Sequence, residues 1–121
     1  MEGNLKKIED LRIFQIAVEI GEDVWQIVSL WDDKFAKWSI GKQWVDCADG
    51  ISATMREGYY RNQKGDLRKF FRYALASAAE AEHWLQKAYN RNLVNAQQYR
   101  QLNQKFQHLI PQTINFINKI Q

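Results

Sequence analysis

The chain has 121 residues, the usual size of one domain, and 45% of them are hydrophobic, 26% are charged and one is proline. This composition predicts an ordered globular protein, and the single cysteine excludes an internal disulfide. No apolar run approaches the roughly 20 residues of a membrane span, and the first ten residues lack a signal peptide's apolar segment. We therefore expect a soluble, cytoplasmic protein with no membrane partner.

The net charge of +3 is unevenly distributed along the chain. Residues 1–55 contain six Lys/Arg and ten Asp/Glu, whereas residues 56–121 contain eleven Lys/Arg and four Asp/Glu. No acidic residue follows Glu82. A basic half of this kind favours a polyanionic partner over a small substrate. The alternative is a basic surface that needs no partner.

Hydrophobic periodicity predicts a first helix over residues 8–32. Its apolar residues form two adjoining stripes: Leu11, Phe14, Val18, Trp25 and Val28 in one, and Ile13, Ile16, Ala17, Ile20, Val24, Ile27 and Trp31 in the other. Because one stripe suffices to line a bundle core, we expect the other to need a further neighbour, most simply another copy of the chain. A connector over residues 35–41 follows, ending at Gly41.

Two further helices are predicted over residues 42–59 and 66–90. Gly58 lies near the end of the former, where glycine tolerates a turn of the backbone. Asp66 is a suitable cap for the latter, which is rich in alanine and therefore allows close helix packing.

The last helix is predicted over residues 95–119. Asn95 and Gln98 form a capping-box pattern at its start, and Pro111 is expected to kink it. Four helices with short connections predict an all-α fold, an up-down-up-down antiparallel four-helix bundle in a single domain over residues 1–121.

The chain carries little that resembles a catalytic or metal centre. Glu80 and His83 form one Glu-x-x-His step, whereas a di-iron bundle needs two such steps and further glutamates. Cys47 falls on the apolar side of the second helix and is interpreted as a small core side chain. No phosphate-binding glycine loop or nucleophile motif is present. We therefore predict a protein that is not an enzyme and uses no cofactor or metal.

The densest group of cations lies in residues 56–73, with six Lys/Arg against two Asp/Glu. Such cations, together with the free backbone N–H groups at the start of a helix, can bind phosphates. Tyrosines in the same segment can stack on unpaired bases. The alternative is a solvated loop whose tyrosines cover the end of the bundle. The candidate nucleic-acid-binding residues, including basic residues further along the chain, are Arg56, Tyr59, Tyr60, Arg61, Lys64, Arg68, Lys69, Arg72, Lys87, Arg91, Arg100 and Lys105.

Three stretches, in order, carry a family resemblance: residues 8–17 (IEDLRIFQIA), 50–61 (GISATMREGYYR) and 70–82 (FFRYALASAAEAE). They resemble the small four-helix proteins encoded in intervening sequences of bacterial 23S rRNA genes. Ile51, Glu57, Gly58 and Arg61 match that family's second-helix motif, whereas Thr54, Arg56 and Ala76 depart from its patterns. Within this motif we interpret Glu57 as an ion-pair partner of Arg61, one helical step on.

The resemblance implies a homo-oligomer with an RNA- or DNA-linked role, and it brings no established catalytic residues. A related branch, the accessory variability proteins of diversity-generating retroelements, is similar in being a basic four-helix bundle. That branch forms a pentameric barrel and binds nucleic acid and a reverse transcriptase, so the resemblance implies a pentamer. We therefore predict a nucleic-acid-binding oligomer. The alternative is a protein-interaction scaffold, such as an accessory subunit that binds a reverse transcriptase or another partner enzyme.

Overall fold

The computed structural model describes residues 6–121, in which four long helices pack as an antiparallel bundle. Helix α1 spans Arg12–Ser29, α2 spans Lys42–Tyr59, α3 spans Lys64–Asn90 and α4 spans Ala96–Asn118. A short 3-10 turn, Ile8–Asp10, precedes α1, so the first predicted helix is broken near Leu11 and ends before Trp31. Short connections reverse the chain between helices, which confirms the predicted all-α up-down-up-down fold.

The core lies between the four helices and combines large aromatic rings with small alanines. Trp44 of α2, Phe71 of α3 and Phe106 of α4 are fully buried. Ala78 and Ala81 of α3 are also buried, which lets α2 approach α3 closely. The Trp44 indole N–H donates to the Ala81 carbonyl at 3.0 Å, so even the polar atom of this ring has a partner.

Both apolar stripes of α1 enter this core, contrary to the expectation that one would remain free. Ile13, Ile16 and Ile20 of the second stripe are buried, because α1 packs against α2 on one side and α4 on the other. Val18 and Trp25 are the members that stay exposed, at 37% and 57%. The full second stripe is therefore not available to cover another copy of the chain.

Residues 35–41 are helical, and the connector expected there is wrong. A short helical stretch, Lys34–Ala36, continues through a π-helical turn, Lys37–Gly41, directly into α2. The Asp33 carboxylate caps this start by accepting the N–H of Ala36 at 2.9 Å. Gly41 is needed for close approach, since a Cβ there would lie 2.8 Å from Val28 Cγ1. Glycine thus lets this turn pack on α1 rather than breaking the chain.

The turn between α2 and α3 also differs from its predicted details. Gly58 lies inside α2 and is buried, and a Cβ there would lie 2.4 Å from Phe70 Cβ. The left-handed conformation falls instead on Asn62, with a φ of 60°. Helix α3 begins at Lys64, so Asp66 is not its cap but lies in its first turn, where a negative charge favours the helix dipole.

The predicted start of α4 is confirmed. Asn95 Oδ1 accepts the N–H of Gln98 at 2.8 Å, and Gln98 Oε1 accepts the N–H of Asn95 at 2.9 Å. Pro111 lies within α4, and the helix continues past it to Asn118. The capping box fixes the direction in which α4 leaves the α3–α4 connection.

Candidate nucleic-acid interface

Arg56 is committed to the fold of its own chain. Its guanidinium forms an ion pair with Glu9, and it also lies 5.4 Å from the ring centroid of Phe14 and 5.9 Å from that of Tyr60. Its hydrogen bond to Glu9 is the main cause that lowers the pKa of that carboxyl. The charge of Arg56 is thereby largely balanced by a residue 47 positions earlier in the chain.

Two further cations of this end of the bundle also have intramolecular partners. Arg61 pairs with Glu57 at 2.9 Å, as interpreted from the sequence, and lies 4.9 Å from the ring centroid of Phe70. Arg68 donates to the carbonyl of Ile120 at 3.1 Å and so satisfies a free acceptor beyond the end of α4. These contacts give Arg61 and Arg68 a structural role at the end of the bundle where α2 connects to α3.

Tyr59 and Tyr60 bind the segment that leads into α1. The Tyr59 hydroxyl donates to the Lys6 carbonyl at 2.8 Å, and the Tyr60 hydroxyl accepts the N–H of Ile8 at 3.3 Å. Their two rings meet edge to face, with centroids 5.2 Å apart. The contacts match the alternative in which the tyrosines cover the end of the bundle.

Lys105 connects α4 to α1. Its ammonium contacts the carboxylate of Asp23 and lies 3.6 Å from that of Glu19, and its side chain is 31% exposed. Two carboxylates therefore surround this cation, which places it among the structural ion pairs rather than with the free basic surface.

Six of the predicted cations have neither an ion pair nor a side-chain hydrogen bond among residues 6–121, since Arg68 lacks an ion pair but donates to a carbonyl. They are Lys64, Lys69, Arg72, Lys87, Arg91 and Arg100. Five of the six are exposed and Lys87 is half-buried. A cation with no carboxylate partner keeps its full attraction for a phosphate, so these six define the surface that a polyanion would contact.

Helix α3 arranges three of them along its outward side, which we call the α3 face. Lys69 and Lys87 are eighteen residues apart, about five helical turns, so they share one side of the helix at a separation of about 27 Å. Arg72 lies one turn from Lys69. Between the two ends, Ala76 and the carboxylate of Glu80 lie on the same side of the helix, and Glu80 accepts the Trp84 indole N–H.

Three carboxylates lie close together on α1 and α2. Burial is the main cause that raises the pKa of the Asp49 carboxyl, and the nearby carboxylates of Glu22 on α1 and Asp46 on α2 raise it further. Lys42 offsets part of this charge by pairing with Asp46 at 2.8 Å. The uneven charge of the sequence thus places a group of carboxylates on α1 and α2, whereas the six unpaired candidate cations lie on α3, directly after it and on α4.

The chain matches the family described as 23S rRNA-intervening sequence protein over residues 9–115. It belongs to that family. The family resemblance inferred from the order of three sequence motifs is therefore confirmed. No curated protein matches the chain.

A solved structure shares the four-helix fold of this chain. It is a protein of unknown function from the S23 ribosomal protein family of Bacteroides thetaiotaomicron, 19% identical, with a TM-score of 0.81 over 88% of this chain and 96% of that one. At this identity the likeness shows the four-helix fold alone. Neither match concerns the accessory variability proteins, so the relation to that branch stays a prediction.

Cys47 and Glu80, the two side chains considered above as reactive groups, are both engaged within the fold. Burial is the main cause that raises the pKa of the Cys47 thiol to about 12, so this side chain is a core thiol, as interpreted from the sequence. The Trp84 indole N–H donates to Glu80 at 3.2 Å, which engages the carboxylate of the Glu-x-x-His step. Among residues 6–121, no three His, Cys, Asp or Glu side chains lie together as metal ligands, and no helix is long and apolar enough to cross a bilayer.

Sequence reasoning missed an exposed aromatic surface at the end of the bundle opposite Tyr59. Phe35 and Trp38 are 83% and 73% exposed, and Leu30 beside them is 78% exposed. The available signal was two large aromatic residues in a stretch that also contains Asp33 and Lys34. Because that stretch was interpreted as a connector, no helical side was assigned to its side chains.

Proposed function

We propose that this family member is a non-enzymatic nucleic-acid-binding protein, which holds the phosphate backbone along the α3 face. The observation that carries the proposal is the contrast between two groups of predicted cations. Arg56, Arg61 and Lys105 have carboxylate partners, whereas Lys69 and Arg72 have none among residues 6–121. Lys69 lies 5.9 Å from the ring centroid of Tyr73, but no carboxylate among residues 6–121 pairs with either cation. Phosphate is the common biological anion that matches such cations.

The spacing of the α3 face supports contacts to the backbone rather than to bases. About 27 Å between Lys69 and Lys87 corresponds to about eight phosphate steps of one duplex strand. Long, flexible side chains at both ends of such a path contact phosphates of any sequence. We therefore expect weak sequence preference, with RNA and DNA bound through the same cations.

The test compares two triple variants that change the net charge equally. Lys69→Ala/Arg72→Ala/Lys87→Ala removes three unpaired cations of the α3 face, and Arg56→Ala/Arg61→Ala/Lys105→Ala removes three paired ones. Affinity for mixed-sequence single-stranded RNA and DNA is measured by filter binding across a salt series. For a single strand, losing three phosphate contacts flattens the slope of log affinity against log salt by about 2.

The α3-face variant should lose affinity for all sequences alike and show the flatter slope, while the paired-cation variant keeps the parental slope. Helix content, followed by circular dichroism, should stay intact in the α3-face variant because alanine favours helix. Equal slopes for the parent and the α3-face variant would place the phosphate contacts elsewhere. No salt-dependent binding by the parent would refute nucleic-acid binding altogether.

A homo-oligomeric scaffold is the second candidate function, and it is favoured by Val18 and Trp25. They lie seven residues apart on α1, about two helical turns, so both exposed side chains face the same side of the helix. Burying them against a second copy, or against a partner such as a reverse transcriptase, would remove apolar area from water. Light scattering tests self-association: a mass above that of one 14.4 kDa chain, reduced by Trp25→Ala, supports it. A monomeric parent contradicts it.

A further inference from the structure

The helical segment over residues 34–41, which ends in the π-helical turn before α2, holds two aromatic side chains outside the core. Ala36, Ile40 and Trp44 face inward at helical spacing and are buried. Phe35 and Trp38 therefore face outward, at 83% and 73% exposed. π-helical turns insert one residue into a helix and are frequent at functional sites.

The end of α3 completes a groove beside these rings. The groove is lined by Phe35 and Trp38, by Trp84 of α3 and by Arg91 directly after α3, around a volume of about 680 Å³. The Trp84 ring is half-buried, and its indole N–H bond to Glu80 at 3.2 Å holds it in place. The volume falls within the roughly 300–1,000 Å³ range of small-molecule sites.

The charges of this groove identify the chemistry of its occupant. Arg91 has no ion pair among residues 6–121, whereas Lys42, also in the groove, pairs with Asp46 at 2.8 Å. The Asp33 carboxylate at the groove accepts the N–H of Ala36. Aromatic faces beside an unpaired guanidinium suit a ligand with a flat ring and an anionic group. A purely apolar partner would bury Arg91 without a counter-charge, which is unfavourable.

We propose that this groove is a subsite for an unpaired nucleotide, whose base stacks on Trp38 and whose phosphate contacts Arg91. The proposal rests on the proposed nucleic-acid binding and deepens it, because it adds base-dependent affinity for single strands to the backbone contacts of the α3 face. Stacking is tolerant of sequence, since every base has a π face. The subsite therefore favours single strands over duplexes without selecting a base.

The experiment measures how much affinity the bases themselves contribute. Fluorescence anisotropy follows the full chain binding to a labelled single-stranded RNA of about 12 nucleotides, within the usual span of single-strand sites. The second probe is an abasic oligonucleotide with the same number of phosphates. The readout is the ratio of the two dissociation constants, abasic over RNA. This ratio cancels any loss of affinity that comes from fewer phosphate contacts or from a change in oligomeric state.

The parent should give a ratio of at least about five, because one stacked base is worth about 1–3 kcal/mol. Trp38→Ala should reduce the ratio to near one, and Trp38→Phe should restore most of it because phenylalanine retains a stacking face. Tyr89→Ala is the matched control, since Tyr89 is an exposed aromatic side chain that stacks on Tyr99 and does not line this groove. It should leave the ratio unchanged.

Each other outcome overturns the proposal in a recognisable way. A parental ratio of one, with both probes bound, refutes the subsite and leaves backbone binding standing. The subsite is also refuted if Trp38→Ala leaves the ratio of the two dissociation constants unchanged. If the molar mass of that variant, measured by light scattering, then differs from that of the parent, the groove is assigned to a second copy of the chain. Absence of binding to both probes refutes the proposed function and the subsite together.

Discussion

Replacing Gly58 by alanine should destabilise the bundle, although alanine is the better helix former. The substituted Cβ would lie 2.4 Å from Phe70 Cβ and 3.3 Å from Phe70 Cγ. The closer atom is attached directly to the α3 backbone, so no rotation about χ1 of Phe70 can move it away. Relief requires α2 and α3 to separate where they reverse direction, beside the turn at Asn62.

The size of the effect follows from two opposing contributions. Alanine in place of an interior helical glycine stabilises by up to about 1 kcal/mol. Overpacking a buried site by one methyl group costs about 1–3 kcal/mol, and a contact this short lies at the upper end. We expect a net loss of about 1–2 kcal/mol in the free energy of unfolding.

Gly50→Ala is the matched control because Gly50 lies in the same helix and its nearest neighbour, Ser77 Oγ, would be 3.8 Å from the new Cβ. This variant gains the helix propensity without the clash and should be as stable as the parent or more so. Urea unfolding followed by circular dichroism, at one protein concentration, compares the three proteins. If Gly58→Ala unfolds at the same urea concentration as Gly50→Ala, the close approach of Phe70 is incorrect.

Three further predictions concern single residues. Cys47 should resist alkylation by iodoacetamide at pH 8 in the folded protein and react once urea unfolds it, because its pKa of about 12 keeps the thiol protonated; rapid labelling of the folded chain would contradict its burial. The pair with Arg56 lowers the pKa of Glu9, so its stabilisation is present above the unfolded pKa of Glu9 and disappears as pH falls through the folded one. The parent should therefore lose more stability than Arg56→Ala between pH 6 and pH 3, and parallel curves would argue against the pair. Asn95→Ala should cost about 1 kcal/mol by removing the cap of α4, as measured by urea unfolding, while an unchanged midpoint would mean that Gln98 alone suffices.

The helices, their order and the start of α4 could be predicted because they depend on local spacing. Apolar residues at three- and four-residue intervals specify a helix and its inward side wherever the chain later goes. The capping box of Asn95 and Gln98 lies within one turn. The family resemblance had the same basis, since its motifs are short and sequential. Local spacing gave a wrong prediction at residues 35–41, which are helical rather than a connector. The π-helical turn there has no simple periodic signature in the sequence.

The candidate site depended on which helices face each other. Arg56 and Lys69 look alike in the sequence, yet Arg56 meets Glu9 across 47 residues and Lys69 meets no carboxylate among residues 6–121. The groove beside Trp38 likewise needs the end of α3, which brings Arg91 to it. An ion pair or a groove forms between surfaces, and its members are selected by helix packing rather than by sequence spacing. The sequence therefore determined that the chain has a basic half, and the tertiary structure decided which of its cations have a carboxylate partner among residues 6–121.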